Sequence, residues 1–275
     1  MAETNEINVG GSYMKRISRA EPGLIVLVLD DSGSMADTLP GTTDAKFVLV
    51  ERYAGVILRE LLERSTEMRG DQPVVKPRYF VEVIVYGGTP QRWSQGAVGD
   101  DIGALVQKYK EGGNSFGLGG KLDGTDTDAA FRLGLEFLER CLDKYKNCFP
   151  PMVFHLTDGE SSTDAEPVAQ KMMQLATNDG KVLVVNAFIG EATNLSYVHP
   201  TDFPGYVSEQ EAGPSDYSIR LFRMSSQVPP AVRSNLAGDG VFPNIREGAR
   251  LYFDVRTKDM LKHTIQVVGS QGSRR

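Results

Sequence analysis

Asp30, Ser32 and Ser34 set one carboxylate and two hydroxyls at alternate positions of the run Asp30-Asp31-Ser32-Gly33-Ser34-Met35. Directed to one point, they are three hard oxygen donors, and hard oxygens suit Mg²⁺ or Mn²⁺ rather than a soft metal. Three donors do not complete a site. A second carboxylate, Asp158, stands in Thr157-Asp158-Gly159-Glu160, and Asp123-Gly124-Thr125-Asp126-Thr127-Asp128 lies between the two in sequence. Taken singly, Asp-Ser-Gly-Ser and Asp-Gly are ordinary turn and cap sequences. Their joint occurrence after two apolar runs argues for more. Two buried carboxylates side by side repel unless something positive lies between them.

The elements that must position these groups follow from pattern. Leu24-Ile25-Val26-Leu27-Val28-Leu29 is short, apolar and preceded by Pro22-Gly23, as expected of a strand buried on both faces of a parallel sheet. Met152-Val153-Phe154-His155-Leu156 repeats the arrangement. Both acidic groups then fall at strand carboxyl ends, where open α/β sheets place their ligands. Residues 44–65 read as a helix capped by Thr43 or Asp44, with Phe47, Val50, Ala54, Ile57, Leu58 and Leu61 as its apolar stripe. A strand over 79–86, a hairpin or edge strand near Gly87-Gly88 and Trp93-Ser94, and a helix near 100–110 follow. Then come a helix over 127–143 (Phe131, Leu135, Leu138), a helix near 164–178 and a strand over 181–189. The remainder reads as a long loop over 191–215, a helix over 218–228 with a further turn over 231–236, a strand over 250–254 and a closing helix over 257–268. This alternation predicts a doubly wound, mainly parallel central sheet with helices on both faces.

Six glycines between Gly112 and Gly124 invite a phosphate-binding reading. It fails, because Lys121 is followed by Leu122 rather than Ser or Thr, and position 115 is not Gly. The stretch reads instead as a flexible lead into Thr125. One domain is expected over 21–269, with 191–248 as a C-terminal decoration, an arm over 1–20 and a tail over 270–275.

Bulk properties exclude several classes. The 275 residues suffice for one large α/β domain, and the net charge is −6. No Lys/Arg block stands out apart from Arg274-Arg275, so nucleic acid is not an expected partner. No apolar run reaches membrane-spanning length. Met1-Ala2-Glu3-Thr4-Asn5-Glu6 lacks the basic and apolar regions of a signal peptide, so a cytoplasmic location and no membrane partner are expected. Cys141 and Cys148 have neither zinc nor disulfide spacing and read as packing residues in a reducing compartment.

Asp-x-Ser-x-Ser after a first strand, then a Thr in a Gly-Thr loop, then a strand ending in Thr-Asp-Gly, resembles the metal-ion-dependent adhesion site of von Willebrand factor A domains. The resemblance covers residues 20–190, with 249–269 compatible. Residue by residue, it implies a metal set of Asp30, Ser32, Ser34, Thr125 and Asp158, with Thr127 the alternative to Thr125. It implies direct coordination by Ser32, Ser34 and Thr125, with Asp30 and Asp158 acting partly through water. The implied ion is Mg²⁺, with Mn²⁺ or Ca²⁺ as alternatives, and the implied partner is another protein supplying an acidic side chain. The wording Asp-Asp-Ser-Gly-Ser-Met looks like intracellular bacterial members, including those near tellurite-resistance and stress genes. Such members often accompany a kinase and a phosphatase, which are then the expected companions from the same operon.

The expected function is a metal-dependent protein–protein interaction module and not an enzyme. An aspartate-nucleophile phosphatase needs a second Asp two positions after the first, where Ser32 stands. A serine hydrolase needs Gly-x-Ser-x-Gly around Ser32 or Ser34, and it is absent. His155 falls inside a predicted buried strand, as a satisfied core histidine does, and His199 and His263 suggest no partner. The alternatives are a metal-dependent hydrolase or phosphatase, and a scaffold in which the metal is only structural.

Overall fold

The computed structural model describes residues 12–39, 43–190 and 194–255, with 259, 260, 263, 264, 266 and 267 beyond them. The N-terminal part of the predicted arm, half of the predicted closing helix and the tail lie outside the described residues. In chain order the elements begin with β1 (Gly23–Asp30), α1 (Lys46–Ser65), the hairpin β2 (Thr66–Arg69) and β3 (Gln72–Val75), and β4 (Tyr79–Tyr86). Next come β5 (Gln91–Arg92), β6 (Asp100–Asp101), α2 (Ile102–Glu111), α3 (Thr127–Tyr145), β7 (Met152–Thr157) and α4 (Glu166–Gln174). The rest are β8 (Ala176–Thr177), β9 (Gly180–Lys181), β10 (Leu183–Phe188), α5 (Glu209–Ala212), α6 (Asp216–Arg223), α7 (Pro230–Gly238) and β11 (Tyr252–Asp254).

The main sheet runs β11-β10-β7-β1-β4-β5, and β6 also pairs with β4. Every pairing from β11 across to β4 is parallel, while β5 and β6 lie antiparallel on β4. All eight residues of β1 and all six of β7 and of β10 are buried, which explains why these strands read as unbroken apolar runs. The chain leaves β1 toward β4 on one side and leaves β7 toward β10 on the other. The switch point therefore falls between the carboxyl ends of β1 and β7, and Asp30 and Asp158 stand on its two rims. The architecture is a doubly wound, Rossmann-like α/β fold.

Several boundaries differ from the sequence expectation. α1 starts at Lys46 with Ala45 as N-cap and no capping side chain. The backbone does the capping instead: Thr38 and Ala45 form a β-bridge, and the Asp37 carbonyl accepts the Lys46 N–H at 2.9 Å. Asp44 turns to Arg52 at 3.4 Å. The helix expected near 164–178 ends at Gln174, because Ala176–Lys181 forms the small hairpin of β8 and β9. The arm residues Tyr13, Met14 and Lys15 bond to Asp179 and Lys181 in and beside that hairpin. The C-terminal third shares the core rather than decorating it loosely. The Phe242 ring lies 5.3 Å from Phe203 and 5.2 Å from Phe253 of β11.

Candidate metal centre

Asp30 is fully buried at the end of β1. Its Oδ1 accepts the Ser32 N–H at 2.9 Å, and its Oδ2 accepts the Thr157 hydroxyl at 2.6 Å. The Tyr86 hydroxyl stands 3.2 Å from the same Oδ2. Burial pushes the Asp30 carboxyl up to about 6, with the charge of Asp158 adding to the rise and the Thr157 and Ser32 bonds opposing it.

Behind Asp30 a buried polar chain crosses the sheet. Tyr86 on β4 meets His155 Nε2 on β7 at 2.7 Å, and His155 Nδ1 meets Asn186 Oδ1 on β10 at 2.8 Å. Asn186 Nδ2 donates to Ser225 Oγ at 2.9 Å, which fixes the amide orientation and makes Nδ1 of His155 the donor to Oδ1. Burial lowers the His155 pKa to about 4, so the ring is neutral and Nε2 accepts. The single Tyr86 proton therefore has two acceptors, His155 and Asp30, and the shorter contact is to His155. His155 is the satisfied core histidine that the sequence implied.

Ser32 and Ser34 converge. Their hydroxyl oxygens lie 3.3 Å apart, with Ser32 buried and Ser34 half-buried toward the carboxyl edge. Asp158, 4 % exposed, stands across the switch point. Its Oδ2 is held by the Lys46 ammonium at 2.9 Å, and its Oδ1 accepts the Glu160 N–H at 3.3 Å. A positive charge thus sits on one of the two carboxylates, Asp158, and it comes from the first turn of α1. Sequence reading left Lys46 unassigned; the signal available was a lone cation at the start of a helix that follows the Asp-x-Ser-x-Ser turn.

Thr125 and Thr127 part company. Thr125 is half-buried, and its carbonyl accepts Ser162 N–H at 3.0 Å and Ser162 Oγ–H at 2.7 Å. Its hydroxyl makes no hydrogen bond among the described residues. Thr127 is buried in the first turn of α3 and donates to the Tyr86 hydroxyl at 3.4 Å, away from the edge. No hydrogen bond links the Thr125 side chain to the Ser32 and Ser34 pair.

The glycine-rich stretch is pinned rather than a flexible lead. Asp31 Oδ1 accepts the Gly119 and Gly120 N–H groups, each at 2.6 Å. Glu51 accepts the N–H groups of Phe116 and Leu118, both at 2.9 Å. Leu122 then bridges in parallel to Ser32. Gly87 and Gly88 lie against the continuation: Asp126 N–H donates to Gly87 O and Gly88 N–H to Asp123 O, both at 2.7 Å. A Cβ on Gly88 would stand 2.4 Å from Asp123 O, so only glycine permits this approach. The acids Asp31 and Asp126 are thereby turned inward, Asp126 capping α3 and accepting the Thr163 hydroxyl at 2.9 Å. Glu160 remains exposed.

Beside Asp158 and Lys46 opens a cleft of about 440 Å³, bounded also by Asp37, Phe188 and Tyr217. Among the described residues no group of three His, Cys, Asp or Glu could hold a metal, so any ion site here rests on hydroxyls with two carboxylates. The residues fit a hard divalent cation. Adjacent ligands of an octahedral ion with bonds near 2.1 Å lie about 3.0 Å apart, close to the Ser32–Ser34 spacing.

No protein-family model matches the chain, and no curated protein does. Distant likenesses exist among solved structures. A Bacteroides fragilis aerotolerance-related membrane protein aligns at 16 % identity and TM-score 0.39, covering 61 % of this chain and 68 % of that one. BatB from Bacteroides thetaiotaomicron aligns at 15 % identity and TM-score 0.39, over 60 % of this chain and 66 % of that one. The Rpn10 VWA domain aligns at 13 % identity and TM-score 0.42, over 62 % and 77 %. At such distances the likeness leaves function to the site itself. No helix among the described residues is long and apolar enough to cross a membrane.

Proposed function

We propose that this chain is a protein-binding module whose contact runs through a divalent cation, Mg²⁺ foremost, at the metal-ion-dependent adhesion site formed by Asp30, Ser32, Ser34, Thr125 and Asp158. The observation that carries the reading is the convergence of the Ser32 and Ser34 hydroxyls, 3.3 Å apart, at the open switch point between two buried carboxylates. When bound, the ion supplies an electrophilic centre with a position open to an incoming oxygen ligand. Asp30 orients the turn through the Ser32 N–H, and Thr157 and Tyr86 hold Asp30 in turn. Asp30 and Asp158 balance the charge of the ion, and Lys46 adds one positive charge, so the completed site attracts a carboxylate. Asp31 and Asp126 do not oppose its approach, being committed to backbone donors. The partner is accordingly a protein presenting an Asp or Glu side chain.

The resemblance of Asp-Asp-Ser-Gly-Ser-Met to intracellular bacterial members supports a cytoplasmic setting and a stress-response assembly of the tellurite-resistance type, with a kinase or phosphatase of the same operon as companion. A non-enzymatic role is supported by the commitment of both His155 ring nitrogens to a buried hydrogen-bond chain between Tyr86 and Asn186, which leaves neither free to act as a general base. Titration calorimetry of Mg²⁺ into the wild type and Ser34→Ala tests the metal, and partner capture in Mg²⁺ against EDTA tests the contact. Mg²⁺ binding lost in Ser34→Ala together with EDTA-sensitive capture is expected. Mg²⁺ heat that survives Ser34→Ala, or capture indifferent to EDTA, overturns the reading.

A further inference from the structure

Neither the fold nor helix capping explains Lys46. It sits in the first turn of α1, where a cation is disfavoured by the positive end of the helix dipole. Its side chain is 12 % exposed, and its ammonium pairs with a carboxylate 2 % exposed. An isolated pair this buried repays its desolvation poorly, which makes it weak as a stability device. Both partners border the cleft that Phe188 and Tyr217 also line, so neither is sealed in the core. Asp158 is also one of the two carboxylates on which the proposed ion depends.

We infer that Lys46 is an exchangeable counter-cation: it occupies Asp158 when the ion is absent, yields it when the ion binds, and so weakens and conditions ion occupancy. This rests on the metal-binding reading above. The alternative, an ammonium that merely fastens α1 to the loop after β7, leaves ion affinity unaffected or lowers it on removal. Exchange has a second consequence. Once released, the ammonium stays at the cleft mouth, where it faces the carboxylate that a partner brings. Ion binding then both opens a coordination position and frees a donor for the same incoming group.

The test uses the full chain with Mg²⁺ alone as the probe. Calorimetric Mg²⁺ affinity should rise about tenfold in Lys46→Met, because the ion no longer has to displace an ammonium from Asp158. Lys46→Arg, which keeps the charge, should stay near the wild type. In an Asp158→Asn background, the substitution Lys46→Met should no longer change the affinity. Should Lys46→Met fold poorly without metal, the wild type carries the second measurement. The rate of Lys46 acetylation, read by peptide mass spectrometry, should rise at least about fivefold from EDTA to saturating Mg²⁺, since the amine must leave its carboxylate to react. Equal or weaker Mg²⁺ affinity in Lys46→Met, or an acetylation rate unchanged by Mg²⁺ that demonstrably binds, overturns the exchange while leaving the metal site standing. No Ser34-dependent Mg²⁺ binding in either wild type or Lys46→Met overturns both.

Discussion

Asp31 immediately follows a proposed ligand and yet points away from the ion, and that makes a sharp prediction. Replacing Asp31 by Ala removes the acceptor of two backbone N–H groups, those of Gly119 and Gly120. A hydrogen bond to a charged acceptor contributes about 1.5–3 kcal/mol net. Gly119 and Gly120 are half-buried, so water replaces part of the loss, and about 3 kcal/mol in total is expected rather than the full sum. Asp31→Asn keeps an oxygen in place and forfeits only the charge, so about 1–2 kcal/mol is expected. Urea unfolding with an unchanged m-value gives the stabilities. Amide exchange at Gly119 and Gly120 reports the local effect: protection in the wild type should collapse in Asp31→Ala. Mg²⁺ affinity should fall too, although Asp31 is no ligand, because Leu122 to Thr125 lose their station against Ser32. A loss below about 1 kcal/mol with both amides still protected would refute the reasoning and transfer the pinning to Glu51.

Three further outcomes are expected. Arg92→Ala strands Glu82, whose side chain is 1 % exposed in the sheet; the usual cost of about 3–5 kcal/mol for breaking a buried pair shrinks to about 2–3 because Arg92 is itself a third exposed, and Glu82→Gln on the same chain should recover most of it in chemical unfolding. His155 stays neutral in the fold down to about pH 4 against about 6.5 unfolded, so its contribution is fully present above pH 6.5 and lost as pH falls toward 4; the stability gap between wild type and His155→Gln should narrow by about 3 kcal/mol between about pH 7.5 and 4, and a constant gap counts against it. Gly120→Ala forces a Cβ to 2.6 Å from the Ala36 nitrogen at a φ of +61°, so a loss of about 1–3 kcal/mol and a smaller thermal shift on adding Mg²⁺ are expected from melts in EDTA and in Mg²⁺.

The central strands were legible because burial on both faces leaves only one kind of sequence, and Leu24 to Leu29 and Met152 to Leu156 have it. The alternation of those runs with amphipathic stretches was enough to assign the parallel sheet. What hid was settled by contacts distant in sequence. The start of α1 depends on a backbone bridge between Thr38 and Ala45 that no side chain announces. The glycines of 112–124 read as loop flexibility, whereas Gly120 lets its backbone lie against that of Ala36. Asp-x-Ser-x-Ser and Thr-Asp-Gly each follow a buried apolar run, and that was enough to place Asp30 and Asp158 at the carboxyl ends of the neighbouring strands β1 and β7. The pattern could not tell that a lysine from the next helix would lie on Asp158, since Lys46 on a helical surface pattern looks like any solvated cation. Nor could it divide Thr125 from Thr127, two residues apart; burial of Thr127 against Tyr86 separates them.

The crossing of residues 112–126 over the carboxyl edge, from the layer of α2 to the layer of α3, also divides the chain into two near-complementary pieces. A cut at Gly113-Asn114, both exposed and both at positive φ, would leave β1, α1 and β4 on one fragment and β7, α4 and β10 on the other. Asp30, Ser32, Ser34 and Lys46 would travel with the first, Thr125 and Asp158 with the second. Neither fragment alone would carry an ion site, and their joining edge is the β1–β7 pairing itself. If the proposed ion site holds, Mg²⁺ should bind the rejoined pair and neither fragment alone, so that ion binding would report the pairing of β1 with β7.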